Sequence, residues 1–333
     1  MSKSKTLTVA LIVVLIVLGV AAWFLFGSTA SGLSYPNAEK YSVGDASVSG
    51  TVNNLFIDWT AGKVNVEYYG GTEITVSETA NRSLSEDDKL RWWLDGDTLR
   101  VRYAKPGFRI SFDLDKQLTV RLPFGTELKS ADIGSTSGDL YIPALTADSV
   151  RLDSTSGRID ASTLTKQLTV SSTSGDVTLY QNGALDSADL SSTSGSVSFF
   201  LEGSMKKIEM KSTSGGVSLT VTGSADEVKL HSTSGNIYTS LPSVKKAEIS
   251  STSGSYTGTV KSFDDLKINT TSGSVNATLG ADPGFTCKVS TSSGYFNSEL
   301  PLVNNGNTYT CGDGSAKCEI GTSSGGIWIG KAD

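Results

Sequence analysis

Length, composition and charge exclude several classes of protein. The chain has 333 residues, including 35 glycines, with 8% aromatic and 19% charged residues, a composition that suits an all-β protein with many tight turns. The net charge is −6, and once the N-terminal Lys3 and Lys5 are set aside, 26 basic residues stand against 34 acidic ones. We therefore expect no nucleic-acid partner and no docking on anionic lipid.

A transmembrane helix is predicted near the N-terminus. Residues 7–26 form an uncharged apolar run, long enough as a helix to cross a hydrocarbon core of about 30 Å. Lys3 and Lys5 precede it, which places the N-terminus inside the cell. A cleaved signal peptide is the alternative, although its apolar core is normally only about 7–15 residues long. We predict a cytoplasmic tail (1–6), a membrane helix (7–26) and a linker (27–40), with the bulk of the chain outside a cell membrane that it crosses once.

A Ser-Thr-Ser-Gly tetrad, varied to Thr-Thr-Ser-Gly or Thr-Ser-Ser-Gly in the last copies, recurs ten times. Most spacings are 18 to 21 residues and the last is 31. A short fixed period is typical of a solenoid. The tetrad glycines are Gly138, Gly157, Gly175, Gly195, Gly215, Gly235, Gly254, Gly273, Gly294 and Gly325.

Aligning the copies on the glycine reveals alternation with period two. The positions seven and five before the glycine and two after it are apolar or aromatic in every copy, whereas the position six before is charged in all but one. This pattern predicts a half-buried strand on each side of the glycine. Residues 131–333 are therefore predicted to form a single-stranded parallel β-solenoid, or β-helix, of about ten coils of about 20 residues, stacked about 4.8 Å apart.

Extending the alternation through the tetrad predicts that both serines point inward and the threonine outward. The serine before the glycine is present in all ten copies, as in Ser137, Ser156, Ser174 and Ser194. Buried hydroxyls need partners, which stacked serines could supply to one another. The glycine is predicted to adopt a positive φ at the corner. The tetrad is thus interpreted as structural.

Residues 41–130 are predicted to form an irregular N-terminal β cap that covers the first coil. Residues 56–66 resemble a degenerate coil with Gly62 at its corner, and residues 95–97 read as a hairpin turn. Atypical terminal units are needed because a solenoid otherwise exposes strand edges.

Residues suited to catalysis are scarce, and we predict no enzyme, cofactor or metal site. His231 is the single histidine, which leaves almost no material for a catalytic triad or a histidine-based metal site. Asp139, Arg158 and Asp176 follow the glycine in successive coils. Acid, base and acid in sequence predict a surface ion ladder, which contributes little energy, rather than the acid cluster of a polysaccharide-active enzyme.

The three cysteines lie near the C-terminus, and a disulfide is plausible outside the cytoplasm. Cys287 and Cys318 share an inward column on neighbouring coils, whereas Cys311 and Cys318 flank a short glycine-rich segment. The sequence is compatible with either pairing, and the Cys311–Cys318 pairing is preferred.

The tetrads and the steps Gly138-Asp139-Leu140 and Gly175-Asp176-Val177 resemble a bacterial family of unknown function, labelled "putative adhesin", with a head-GIN-like β-solenoid. The resemblance spans about residues 40–330. It implies an envelope protein, and some members are similar to adhesins or envelope-stress components. We expect a surface interaction module that binds cell-wall polymer or an envelope protein. The alternatives are a stress sensor acting through a membrane partner and, disfavoured, a polysaccharide-active enzyme.

Overall fold

The computed structural model describes residues 34–107, 114–282 and 284–332. The predicted membrane helix (7–26) and most of its flanking segments lie outside these ranges. Among the residues described, no helix has the length and apolar character needed to span a membrane. Apart from a short 3-10 helix, Ala38–Lys40, the regular structure in these ranges is β-strand, which confirms the all-β prediction.

The N-terminal region contributes eight strands that cap the rod. β3 and β4 run parallel to the first coil, while β5 and β6 run antiparallel to β8 and β7 respectively. The predicted hairpin is confirmed as β6–β7. The strands are β1 (Ser42–Val43), β2 (Ala46–Val48), β3 (Asn54–Trp59), β4 (Val64–Tyr69), β5 (Ile74–Ala80), β6 (Arg91–Asp95), β7 (Thr98–Arg102) and β8 (Lys116–Pro123).

Two parallel ladders then run the length of the molecule, one before and one after the tetrad glycines. Each strand pairs with its equivalent in the next coil, 18 to 20 residues on, as predicted for a solenoid. The strands are β9 (Leu128–Ser135), β10 (Leu140–Ser154), β11 (Ile159–Leu164), β12 (Gln167–Ser172), β13 (Val177–Asn182), β14 (Leu185–Ser192), β15 (Val197–Glu202), β16 (Met205–Ser212), β17 (Val217–Val221), β18 (Ser224–Ser232), β19 (Ile237–Ser251), β20 (Tyr256–Thr270) and β21 (Val275–Leu279).

The C-terminal coil departs from sequence order. β26 lies between β20 and β22, and β27 lies between β21 and β23, so the last coil in sequence is the second last in space. The long final spacing accommodates the antiparallel β24–β25 hairpin, whose second strand covers the free edge of β22. The strands are β22 (Phe285–Thr291), β23 (Phe296–Ser298), β24 (Val303–Asn304), β25 (Thr308–Cys311), β26 (Ala316–Thr322) and β27 (Ile327–Lys331).

The core lies between the two ladders and forms one continuous apolar cluster. Each coil adds a layer of inward side chains, such as Leu190, Val197 and Phe199, which are at most 2% exposed. Because a layer is completed only by its neighbours, stability accumulates from coil to coil.

The tetrad glycines are required for close packing and not for a positive φ. None of the ten, all of which lie in the described ranges, has φ in the left-handed region, so that prediction was wrong. A Cβ on Gly215 would instead lie 2.1 Å from the carbonyl oxygen of Gly195, and each of the other nine would meet a neighbouring glycine oxygen at 1.7–2.2 Å. Gly62 is the first member of this column, since its oxygen faces Gly138, which confirms its predicted corner position.

The two serines of the tetrad have different roles. The first is buried, as predicted, but the second is exposed, so the inward prediction for Ser137, Ser156, Ser174 and Ser194 was wrong. The strand ends at the first serine and the chain bends there, so the alternation cannot be extended through the tetrad. No contact in the described structure explains why the second position is always serine.

The buried serine bonds to backbone rather than to other serines. Ser212 Oγ accepts the N–H of Gly215 at 2.9 Å and donates to the carbonyl of Gly195, in the preceding coil, at 3.2 Å. Ser232 repeats both bonds with Gly235 and Gly215. One hydroxyl therefore holds its own turn and the adjacent turn together, which explains the linkage between serine and glycine in the repeat.

Candidate functional site

The outward columns of the ladder that precedes the glycines carry paired charges. From Glu209 onward, neighbours in the main column alternate in sign, whereas Asp189 lies directly opposite Glu209. Lys229 also contacts Glu227 at 2.9 Å within its own strand. Directly opposite, unlike charges stabilise a sheet by about 0.2–1 kcal/mol per pair. In spatial order the main column runs Glu209, Lys229, Glu248, Lys267, Glu319 and Lys288. Its charges are therefore balanced by one another.

The ladder that follows the glycines presents a surface of different character. From β13 to β21 the outward positions three and five residues after the glycine contain hydroxyl, amide and aromatic side chains without a single charge. We call this surface the neutral face. It consists of Thr178, Ser198, Ser218, Tyr238, Thr257 and Asn276 in one column and Tyr180, Phe200, Thr220, Ser240, Thr259 and Thr278 in the other. The charged Glu202 lies at the end of β15, two residues beyond Phe200.

Three aromatic side chains project from the neutral face. Tyr180 is 49% exposed, Phe200 37% and Tyr238 48%. The rings of Tyr180 and Phe200 lie side by side, with centroids 6.1 Å apart. A shallow groove of about 300 Å³ adjoins Tyr238 and is lined by Ser218, Thr220 and Thr259 among others. Exposed aromatic rings beside a groove are typical of binding surfaces.

The neutral face was not predicted, although the sequence carries a signal for it. The position three residues after the glycine is mostly Ser, Thr, Asn or Tyr in the alignment. The position five residues after the glycine forms the second column of the neutral face. Only the structure shows that both columns share one surface and that the charged columns lie on the other ladder.

The residues that were considered for catalysis, and interpreted as structural, have ordinary surroundings. His231 is exposed, and its Nδ1 lies 3.0 Å from Ser250 Oγ. Asp139 Oδ1 accepts the backbone N–H of Arg158 at 2.8 Å, and Asp176 does the same for Ser196 at 2.9 Å. These carboxylates bond to the backbone of the next coil, in place of the predicted ion ladder. In the described residues, no group of three or more His, Cys, Asp or Glu side chains is placed to hold a metal ion.

The cysteines lie in the core of the C-terminal coils, and all three are free thiols. Cys287 and Cys318 are directly opposite on β22 and β26, with their sulfurs 2.8 Å apart. Cys311 lies on β25, opposite Phe285. The structure therefore favours the pairing Cys287–Cys318 over the hairpin pairing that the sequence preferred. Burial raises the pKa of the Cys318 thiol well above its usual value.

Oxidation is expected to join Cys287 to Cys318 and to leave Cys311 as a thiol. In-register neighbours have Cα atoms within disulfide reach. Both sulfurs are buried and the raised pKa disfavours the thiolate of Cys318, so we expect slow reaction in the folded protein at neutral pH. Peptide mapping after mild copper-catalysed oxidation would identify the pair. A crosslink between Cys311 and Cys318 would contradict this placement.

The stacked coils and glycine column can be compared with known proteins. The Toastrack DUF4097 family matches residues 52–265, well over half of the chain. The chain belongs to this family. The match covers the coils from β3 into β20 and includes the neutral face up to Thr259, and the resemblance to "putative adhesin" proteins predicted from the tetrads is confirmed. A comparison with curated proteins found no match.

Three of the solved structures similar to this Toastrack chain come from different bacteria. A "putative cell adhesion protein" from Clostridium sporogenes is 12% identical, with 88% of this chain and 100% of that chain covered and a TM-score of 0.21. A "putative adhesin" from Bacteroides fragilis is 13% identical, with 88% and 98% covered and a TM-score of 0.34. One from Parabacteroides distasonis is 12% identical, with 88% and 97% covered and a TM-score of 0.37. At this distance the similarity carries no functional argument.

Proposed function

We propose that this Toastrack protein is an adhesin-like interaction module without enzymatic activity. In this proposal, residues 7–26 anchor it in the cell membrane and the rod lies outside the cytoplasm, where the neutral face binds a macromolecular component of the cell envelope or of another cell.

One observation carries this proposal: the two ladders have the same backbone but different outward chemistry. From Glu209 onward the charges of the first ladder alternate in sign and pair with one another. The neutral face instead exposes Tyr180, Phe200 and Tyr238 to water. Large aromatic rings on a surface are enriched at sites of recognition, whereas a cross-strand aromatic contact, as between Tyr180 and Phe200, stabilises the sheet by only about 0.2–1 kcal/mol.

Introducing charge on the neutral face is expected to abolish binding. In Thr220→Glu with Thr259→Glu, two carboxylates would have to lose water on contact with a partner. We expect at least a tenfold loss of binding to isolated cell walls, membranes or whole cells by the full-length protein held in lipid nanodiscs, without free detergent. Fractionation followed by quantitative immunodetection would measure this loss.

The matched control carries the same two charges on the other ladder. Ser171→Glu with Ser187→Glu lies on β12 and β14 and should bind as the parent protein does, with circular dichroism verifying that both variants fold. The proposal would be abandoned if the parent protein bound none of these fractions, or if both double variants lost binding equally.

A further inference from the structure

We propose that the ligand of the neutral face is an uncharged polysaccharide chain lying along the axis of the rod. This inference rests on the proposed function and adds the chemical class of the partner. It follows from the charge, spacing and hydrogen-bonding groups of the face.

The charge of the neutral face favours an uncharged ligand. None of the twelve neutral-face residues carries a formal charge, although the outward columns of the adjacent ladder are charged at most positions. An anionic polymer or acidic peptide would be recognised by Arg or Lys side chains. An uncharged polymer can be bound without the cost of removing water from unpaired charges.

The aromatic rings of the neutral face are spaced along the rod in a way that suits sugar rings. Phe200 and Tyr180 are adjacent on β15 and β13, and Tyr238 lies two strands beyond Phe200 on β19. That separation is about 10 Å along the rod at about 4.8 Å per strand, which is comparable to the length of a disaccharide. A pyranose ring has one face of C–H groups, which packs on an aromatic ring while its hydroxyls stay hydrated. The two aromatic positions could therefore hold sugars near the two ends of such a unit.

The surface between these rings is lined with hydroxyl groups. The interval carries Ser198, Ser218, Thr220 and Ser240, whose hydroxyls both donate and accept hydrogen bonds. Sugar hydroxyls require this dual capacity. The groove of about 300 Å³ continues past Tyr238 to Thr278, so the hydroxyl-lined path extends for several coils. A protein interface of ordinary size would instead need an apolar core and a charged or polar rim.

Titration of the full-length protein with defined oligosaccharides tests this inference. The probes are cellohexaose and chitohexaose, which are uncharged, and hexagalacturonate, which is anionic. Isothermal titration calorimetry is expected to show at least tenfold tighter binding of one uncharged probe than of hexagalacturonate. Tyr238→Ala and Phe200→Ala should each weaken that binding about tenfold, as expected for an aromatic hot spot.

Tyr141→Ala is the matched control. Tyr141 occupies the same column on β10 and is exposed, but it lies outside the neutral face and packs against Lys63 Nζ at 4.3 Å. Its replacement should leave oligosaccharide binding unchanged. Equal effects of Tyr141→Ala and Tyr238→Ala would overturn the inference, as would preference for hexagalacturonate or failure to bind either uncharged probe.

The outcomes separate this inference from the proposed function. If Thr220→Glu with Thr259→Glu abolishes wall or cell binding while the uncharged probes do not bind, the face is an interaction site with a different partner. If light scattering shows a dimer that Tyr238→Ala dissociates, a second copy covers the face and the polysaccharide is excluded. If neither the fractions nor the probes bind, both proposals fail.

Discussion

Gly215→Ala is expected to destabilise the rod by about 3 kcal/mol or more. The added methyl group would lie 2.1 Å from the carbonyl oxygen of Gly195 and 2.4 Å from its carbonyl carbon. Both atoms belong to the turn between β14 and β15. Hydrogen bonds from Gly195 N–H to Ser192 Oγ and from Val197 N–H to the Gly216 carbonyl hold this turn on both sides, so neither atom can move away cheaply. The Gly195 carbonyl accepts the hydroxyl of Ser212, and any displacement would weaken that bond as well. Urea denaturation followed by circular dichroism measures the loss as a lower midpoint.

Gly216→Ala provides the control in the adjacent position. A Cβ there would have its nearest neighbour, the carbonyl oxygen of Asn236, at 3.4 Å, which is ordinary contact. We expect no loss of stability, and a small gain is allowed because alanine restricts the unfolded chain. Equal urea midpoints for Gly215→Ala and Gly216→Ala would show that close packing between coils is not the reason the repeat requires glycine. Since coils interact only with neighbours, Gly215→Ala should also separate the unfolding of the two halves of the rod.

Lys116→Met is expected to cost about 3–5 kcal/mol, because it leaves a buried carboxylate without its counter-ion. Lys116 is 0% exposed, and its Nζ lies 2.7 Å from Glu78 Oε2 and 2.5 Å from the carbonyl oxygen of Asp88. It also donates to the carbonyl oxygen of Tyr103 and lies over the Tyr103 ring, 4.3 Å from its centroid. This one side chain therefore connects β5, β8 and the segments at residues 88 and 103, which cover the N-terminal end of the rod. Its loss should lower the thermal and urea midpoints together.

A second variant distinguishes the buried charge from simple loss of packing. Adding Glu78→Gln to Lys116→Met removes the orphaned charge and should recover much of the stability, because replacing both partners of a buried pair is far less costly than removing one. Lys166→Met serves as a surface control. Lys166 forms an exposed ion pair with Asp148 at 2.7 Å, and its replacement should leave the midpoint unchanged. Failure of the double variant to recover stability would assign the effect to packing alone.

The burial of Lys116 could not be predicted from the sequence. Lysine is almost never fully buried unless it is paired, and its partner Glu78 is 38 positions away on another strand. Lys116 is in phase with the inward Leu118 and Val120 of β8, but the charge of a lysine argues against burial as long as its partner is unknown. Its environment is created by Trp59, Tyr103 and Glu78, which come together only when the cap folds.

The order of the coils at the C-terminus also depended on tertiary structure, although the sequence carries a trace of it. Lys267, Lys288 and Glu319 occupy equivalent outward positions. Stacking in sequence order would place Lys267 beside Lys288, and like charges directly opposite destabilise a sheet. Insertion of β26 places Glu319 between the two lysines. The alternation of charge therefore favours the observed order over the sequential one.

The sequence by itself determined the strands, their inward columns and the parallel stacking, because period-two alternation and a fixed repeat length leave few other arrangements. It also identified the corner positions, including Gly62. It could not determine why the tetrad glycine is required, since the obstacle is a carbonyl oxygen in the adjacent coil. The sequence carried the uncharged columns of the neutral face, but their assembly into one surface depended on the same stacking. Tyr180, Phe200 and Tyr238 are separated by about 20 to 60 residues in the chain and become one surface only when coils stack about 4.8 Å apart.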